Sequence, residues 1–94
     1  MAYEKQPTKD DVINRLEAAL QGDISREAFN VWAYKWVQNF DCRNHMSAEE
    51  NTLHQYLIHL LAIDLEIEQG VYLHDFTDIR GWIDKIKNNQ ALSS

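Results

Sequence analysis

An all-α fold, a compact bundle of about four amphipathic helices, is what this sequence predicts, and three observations predict it. Apolar residues recur at the i, i+3, i+4, i+7 spacing of a helix face in four separate stretches. A Ser, Thr or Asp suited to cap a helix N-terminus stands before each stretch. The chain has 94 residues, 45% hydrophobic and 26% charged, which suffices for a single hydrophobic core. One domain over 1–94 follows, with 1–7 and 89–94 as flexible ends.

Pro7-Thr8 opens the first helix. Thr8 is the N-cap, Asp10 and Asp11 suit the positive end of the helix dipole, and Gly22 is the stop. Val12, Ile13, Leu16, Ala19 and Leu20 make its stripe. Ser25 caps the second helix, with Ile24 and Phe29 in the positions of a hydrophobic staple. Its face is Ala28, Phe29, Trp32, Ala33, Trp36, Val37 and Phe40, wide enough to make it the central helix. Tyr34 falls off that face and is expected to be exposed. Ser47 and Glu50 form a capping box for the third helix, whose stripe is Leu53, Tyr56, Leu57, Leu60 and Leu61.

Beyond Ala62 two readings stay open. The helix runs on to Gln69 with Gly70 as its cap, or it ends near Ala62 in an extended segment. Alternation of Ile63, Leu65 and Ile67 with Asp64, Glu66 and Glu68 favours the early end. Residues 70–74 then form a loop or short extended piece that tucks Val71, Tyr72 and Leu73 against the core. Asp75 or Thr77 caps a fourth helix with Ile79, Trp82, Ile83 and Ile86 inward. Gly81 inside it costs ~1 kcal/mol relative to Ala, which suggests close packing there.

Catalytic and metal-binding chemistry finds little support. His54 and His59 are five apart and diverge on a helix, Cys42 and His45 lack a second ligand pair, and His74-Asp75 has no nucleophile beside it. Asp10-Asp11 and Glu49-Glu50 sit in first helical turns, where caps and the dipole explain them. No cofactor, no metal and no catalytic residue is therefore expected. Cys42, the single cysteine, excludes an internal disulfide. The N-terminus is not a signal peptide and no apolar run reaches the ~20 residues of a membrane span. A cytoplasmic protein without membrane contact is expected.

Charge is the most informative feature. The formal net charge is −6. Glu49, Glu50, Asp64, Glu66, Glu68, Asp75 and Asp78 occupy 44–79 without a single Lys or Arg, whereas Arg80, Lys85 and Lys87 against Asp84 make the C-terminal stretch positive. Such clustering repels phosphates and suits a basic partner, so direct nucleic-acid contact is not expected.

The residues Gly22-x-Ile24-Ser25-Arg26-Glu27, Trp32-Ala33, Trp36-Val37, Tyr72-Leu73-His74 and Asp78-Ile79-x-x-Trp82-Ile83 resemble those of small helical bacterial immunity proteins of contact-dependent growth inhibition and related polymorphic toxin systems. That resemblance spans roughly residues 10–87. It implies an inhibitor that covers the basic cleft of a toxin domain, a nuclease and preferentially a ribonuclease, in a heteromeric complex. The partner-binding residues expected from the charge pattern are Asp64, Glu66, Glu68, Tyr72, His74, Asp75 and Asp78, with Tyr72 as an anchor. The alternative is a general protein–protein adaptor or regulatory helical domain unrelated to toxins.

Overall fold

The computed structural model describes residues 6–92. Four helices, α1 (Lys9–Gln21), α2 (Arg26–Asp41), α3 (Ala48–Leu60) and α4 (Phe76–Lys87), enclose the core. Between α3 and α4 the chain makes a 3-10 turn (Leu61–Asp64) and a two-stranded antiparallel sheet, β1 (Glu66–Glu68) with β2 (Val71–Tyr72). The molecule is mostly helical but not purely α: the hairpin is a departure from the all-α expectation.

Local chemistry sets the helix boundaries. Thr8 and Asp11 form a capping box, Ser25 accepts from the Ala28 amide, and Ser47 and Glu50 form the box expected of them. Gly22 ends α1 in the left-handed region at φ 82°, where the Asp23 amide donates to the Ala18 carbonyl. Asp75, rather than Thr77, caps α4 by accepting from the Asp78 amide. The early end of α3 is as the alternation favoured.

α2 packs against α3 and the 3-10 turn, and α1 packs against α4 and α2. The core gathers Leu16, Phe29, Phe40, Leu57, Leu60, Ile63, Ile79 and Ile86, all fully buried. Trp36 and Trp82 are buried as expected, and Tyr34 is exposed. Trp32 is only half-buried: it meets Phe29 edge-on at 5.7 Å and takes the Arg15 guanidinium on its face at 4.5 Å. Ala28 is exposed, since it lies in the first turn at the margin of the stripe.

Three further expectations are corrected. Val71 and Leu73 do not tuck against the core but are about half exposed. A Cβ on Gly81 would meet nothing within 4 Å, so no close packing requires that glycine. The C-terminal segment through Leu92 docks rather than frays. The Asn89 and Gln90 amides donate back to Ile86 and Lys85, Asn89 takes a left-handed φ of 57°, Tyr56 donates to the Gln90 carbonyl at 3.1 Å, and Leu92 is buried. The expectation of a loose N-terminus falls at 1–5 outside the described residues. Among the described residues no helix is long and apolar enough to cross a membrane.

Candidate functional site

Arg26, in the first turn of α2, organises the region between α2, the hairpin and α4. Its guanidinium donates to the carbonyls of Ile63 and His74, the first at 3.0 Å. Its plane lies 4.2 Å from the Tyr72 ring and 5.4 Å from that of Phe76. One side chain thus joins the 3-10 turn, β2 and the start of α4, one guanidinium nitrogen reaching both carbonyls while the guanidinium group lies over the rings. Asn30, one turn along α2, donates to the Leu61 carbonyl at 2.7 Å and to Asp64 at 3.1 Å.

Most of the carboxylates expected to meet a partner are occupied within the chain. Asp64 holds Asn30, and Glu66 accepts from the Gly70 amide at 2.8 Å, closing the hairpin turn. Asp75 caps α4, and Asp78 lies 3.2 Å from the His74 Nδ1. Tyr72 is not a free anchor. Its hydroxyl donates to Glu27 at 2.8 Å, which holds the Glu27 carboxyl below its usual pKa and raises the Tyr72 phenol above its own. Glu68 is exposed at the hairpin tip. These residues are neighbours along one end of the molecule, but local bonds rather than a waiting surface account for six of the seven.

Beside them a cleft of about 480 Å³ opens between α3 and α4, lined by His59, His74, Thr77, Gly81, Trp82 and Lys85. His59 stands edge-on to Trp82 with ring centroids 5.7 Å apart, and His74 lies 4.8 Å from the same ring. Burial pushes the His59 pKa down, and His74 and Lys85 push it further the same way. Among the described residues no group of three His, Cys, Asp or Glu is placed to hold a metal ion. Spacing along the chain could not find this pair of imidazoles, because α3 and the loop before α4 contribute one each.

The cations gather at the other end of α4. Arg80 and Lys87 are exposed and seven residues apart, so they share one outward face, and Lys85 projects on the other flank beside His59. The Asn89 turn brings its side-chain oxygen to the Lys9 ammonium, which adds a fourth cation from α1. Asp84 lies on the same ridge, and Glu17 is 3.8 Å from Lys87. Lys85 and Lys87 also suit the negative end of the helix dipole, so part of their placement is local.

The same α1, α2 and α4 segments carry a family relationship. A family model described as YxzC DNA-binding protein matches residues 5–86. The chain is 32% identical over 73 residues to "Uncharacterized protein YxzC" of Bacillus subtilis (strain 168), an alignment covering 78% of this chain and 57% of that relative. The chain thus spans a little over half the length of the curated relative it matches. No solved structure matches. These findings overturn the resemblance to growth-inhibition immunity proteins, and with it the toxin-neutralising and nuclease-inhibiting roles and the basic toxin partner. They also overturn the expectation of no direct nucleic-acid contact, which took net charge as decisive. Many of the residues that suggested immunity proteins, Gly22, Ser25, Ala33, Trp36, Val37, Ile79, Trp82 and Ile83 among them, are caps and core, which mark a helical fold and not a partner. Matched over 5–86, the chain belongs to the YxzC DNA-binding protein family.

Proposed function

We propose that this protein is a non-catalytic, cytoplasmic DNA-binding domain that meets the phosphate backbone through the outward ridge of α4. The observation that carries the reading is the segregation of charge in a chain of this family: the one positive stretch lies on an exposed helix, with Lys9 brought to its end. From Asp78 to Lys87 the helix advances ~14 Å, which exceeds the ~8 Å Debye length at physiological salt, so Asp78 is screened from a phosphate at Lys87, while Asp84 and Glu17 offset part of the charge there.

Arg80, Lys87 and Lys9 would neutralise two to three phosphates. Asn88 and Asn89 at the end of the ridge are engaged with the Asp84 carbonyl and with Lys9, so the contact supported is with backbone and not sequence. Two to three released counterions predict that affinity falls by ~12- to 40-fold between 50 and 200 mM salt. Fluorescence anisotropy with a 20-base-pair duplex tests this. Arg80→Ala with Lys87→Ala should weaken binding and lower the salt slope by about two. An unchanged slope in that variant, or no binding to duplex DNA at 50 mM salt, would overturn the reading.

A further inference from the structure

The flank of α4 turned away from Arg80 and Lys87 carries a second set of polar groups. Thr77, Gly81 and Lys85 follow one another at four-residue steps and line the cleft towards α3. Trp82 is buried beside them and both imidazoles lie against its ring, His59 edge-on and His74 tilted. The ionisable groups that face the cleft are His59 from α3, His74 from the loop before α4, and Asp78 and Lys85 from α4, while the C-terminal segment adds only Leu92. Asp78 engages the Nδ1 of His74 and leaves its Nε2. Among the described residues no hydrogen bond or ion pair engages the His59 ring, the Thr77 hydroxyl or the Lys85 ammonium. His74 and Lys85 both act on His59 to disfavour its charged form, so the three groups point towards one space.

Gly81 is the second, independent observation. A glycine inside a helix is destabilising relative to alanine. Its φ is not in the left-handed region, and a Cβ there would meet nothing within 4 Å, so neither a turn nor the packing of this chain accounts for it. What its missing side chain does provide is room in the cleft, midway between Thr77 and Lys85. We propose that this cleft binds a phosphate group, with Lys85 and the two imidazoles as cationic contacts, Thr77 as a hydroxyl donor and Gly81 as the space that admits it. With both imidazoles neutral, Lys85 is balanced by Asp78. Each proton taken up by an imidazole adds one positive charge, so anion and proton favour one another's binding. The proposal stands apart from DNA binding by the ridge, because Lys85 lies on the opposite flank from Arg80 and Lys87. A duplex backbone and a free phosphorylated molecule offer the same chemistry, and the experiment separates them.

The test is a sulfate titration of the full chain at constant ionic strength, read by NMR at the His59 and His74 ring protons and the Gly81 amide. Sulfate stays doubly charged throughout, so any pH dependence belongs to the protein. Saturable shifts with a millimolar dissociation constant are expected, tightening at least fivefold from pH 7.5 to 5.5. Lys85→Ala and His59→Gln should each weaken binding at least threefold. Gly81→Ala should weaken it too while stabilising the fold, a combination that a merely structural glycine would not give. Displacement of sulfate by a 20-base-pair duplex would support a backbone phosphate as the group bound, and sulfate shifts unchanged by excess duplex would support a free phosphorylated molecule. Shifts that stay linear up to ~50 mM sulfate at pH 5.5, or binding indifferent to both Lys85→Ala and Gly81→Ala, would overturn the proposal whatever the ridge does with DNA.

Discussion

Replacing Arg26 by Ala should loosen the hairpin and cost the domain a large part of its stability. The guanidinium makes two charge-assisted hydrogen bonds, to the Ile63 and His74 carbonyls, and covers two rings. Such bonds are worth ~1.5–3 kcal/mol each and a cation–π contact ~0.5–1 kcal/mol at a wet site. Arg26 is half-buried, so the lower figures apply and water replaces part of what is lost. About 2–3 kcal/mol remains, a substantial share of the ~5–15 kcal/mol of an ordinary domain. Denaturant unfolding reads the global effect, and hydrogen exchange at the Tyr72 and Leu73 amides reads the local one. Both should respond, with exchange at Leu73 rising at least as much as global opening, because the His74 carbonyl bond is the tie nearest to that strand. Arg26→Lys keeps the charge and a donor but loses the planar group that covers the Tyr72 and Phe76 rings, so it should fall between wild type and Ala. A loss under ~0.5 kcal/mol for Arg26→Ala, with amide exchange at β2 unchanged, would refute the claim that this side chain holds the hairpin in place.

Gly81→Ala should stabilise the protein by up to ~1 kcal/mol, or ~4–8 °C in thermal midpoint, because the added methyl meets open space and the helical backbone is freed of a glycine; calorimetry reads it. Gly22→Ala should act in the opposite sense, since Gly22 holds φ 82°. His59 has a folded pKa below its unfolded value, burial being the first cause. The unfolded chain therefore takes up that proton first, and stability should fall as pH drops from about 6.5 towards the folded value. His59→Gln should flatten urea midpoints between pH 7 and 5.5. Glu27 and Glu50, whose folded pKa values are lowered, contribute above the carboxylate range and lose that contribution only at more acid pH, so the two effects separate along the pH axis.

Those features of the fold that depend on near neighbours in sequence were legible. Thr8, Ser25 and Ser47 cap the helices they begin, Gly22 ends α1, and the inward residues of α4 are the four that its period names. What failed depends on distant partners. Alternation at Ile63, Leu65 and Ile67 marked an extended segment, but the second strand is two residues long and too short to show a period. Whether Tyr72 or its neighbours turn inward is settled by Arg26, 46 residues earlier, and no local rule places that guanidinium. Leu92 buries because Asn89 takes the left-handed turn usually given to glycine, and a lone leucine in a polar tail carries no periodic signal.

The charge pattern misled for a physical reason. A count along the sequence treats every carboxylate as available, yet Glu50, Asp75, Asp64, Glu66 and Asp78 each complete a hydrogen bond at a cap, a turn or an imidazole. Groups so engaged keep their charge but owe their positions to the fold, so their clustering does not require a partner. The hairpin face fails the corresponding test of local explanation. Among the described residues no cap, turn or core contact accounts for Ile67 at 63% exposure. Among the described residues the side chains left without such a local account are therefore the apolar ones of the hairpin, while Asp64, Glu66 and Asp75 beside them serve Asn30, a turn and a cap.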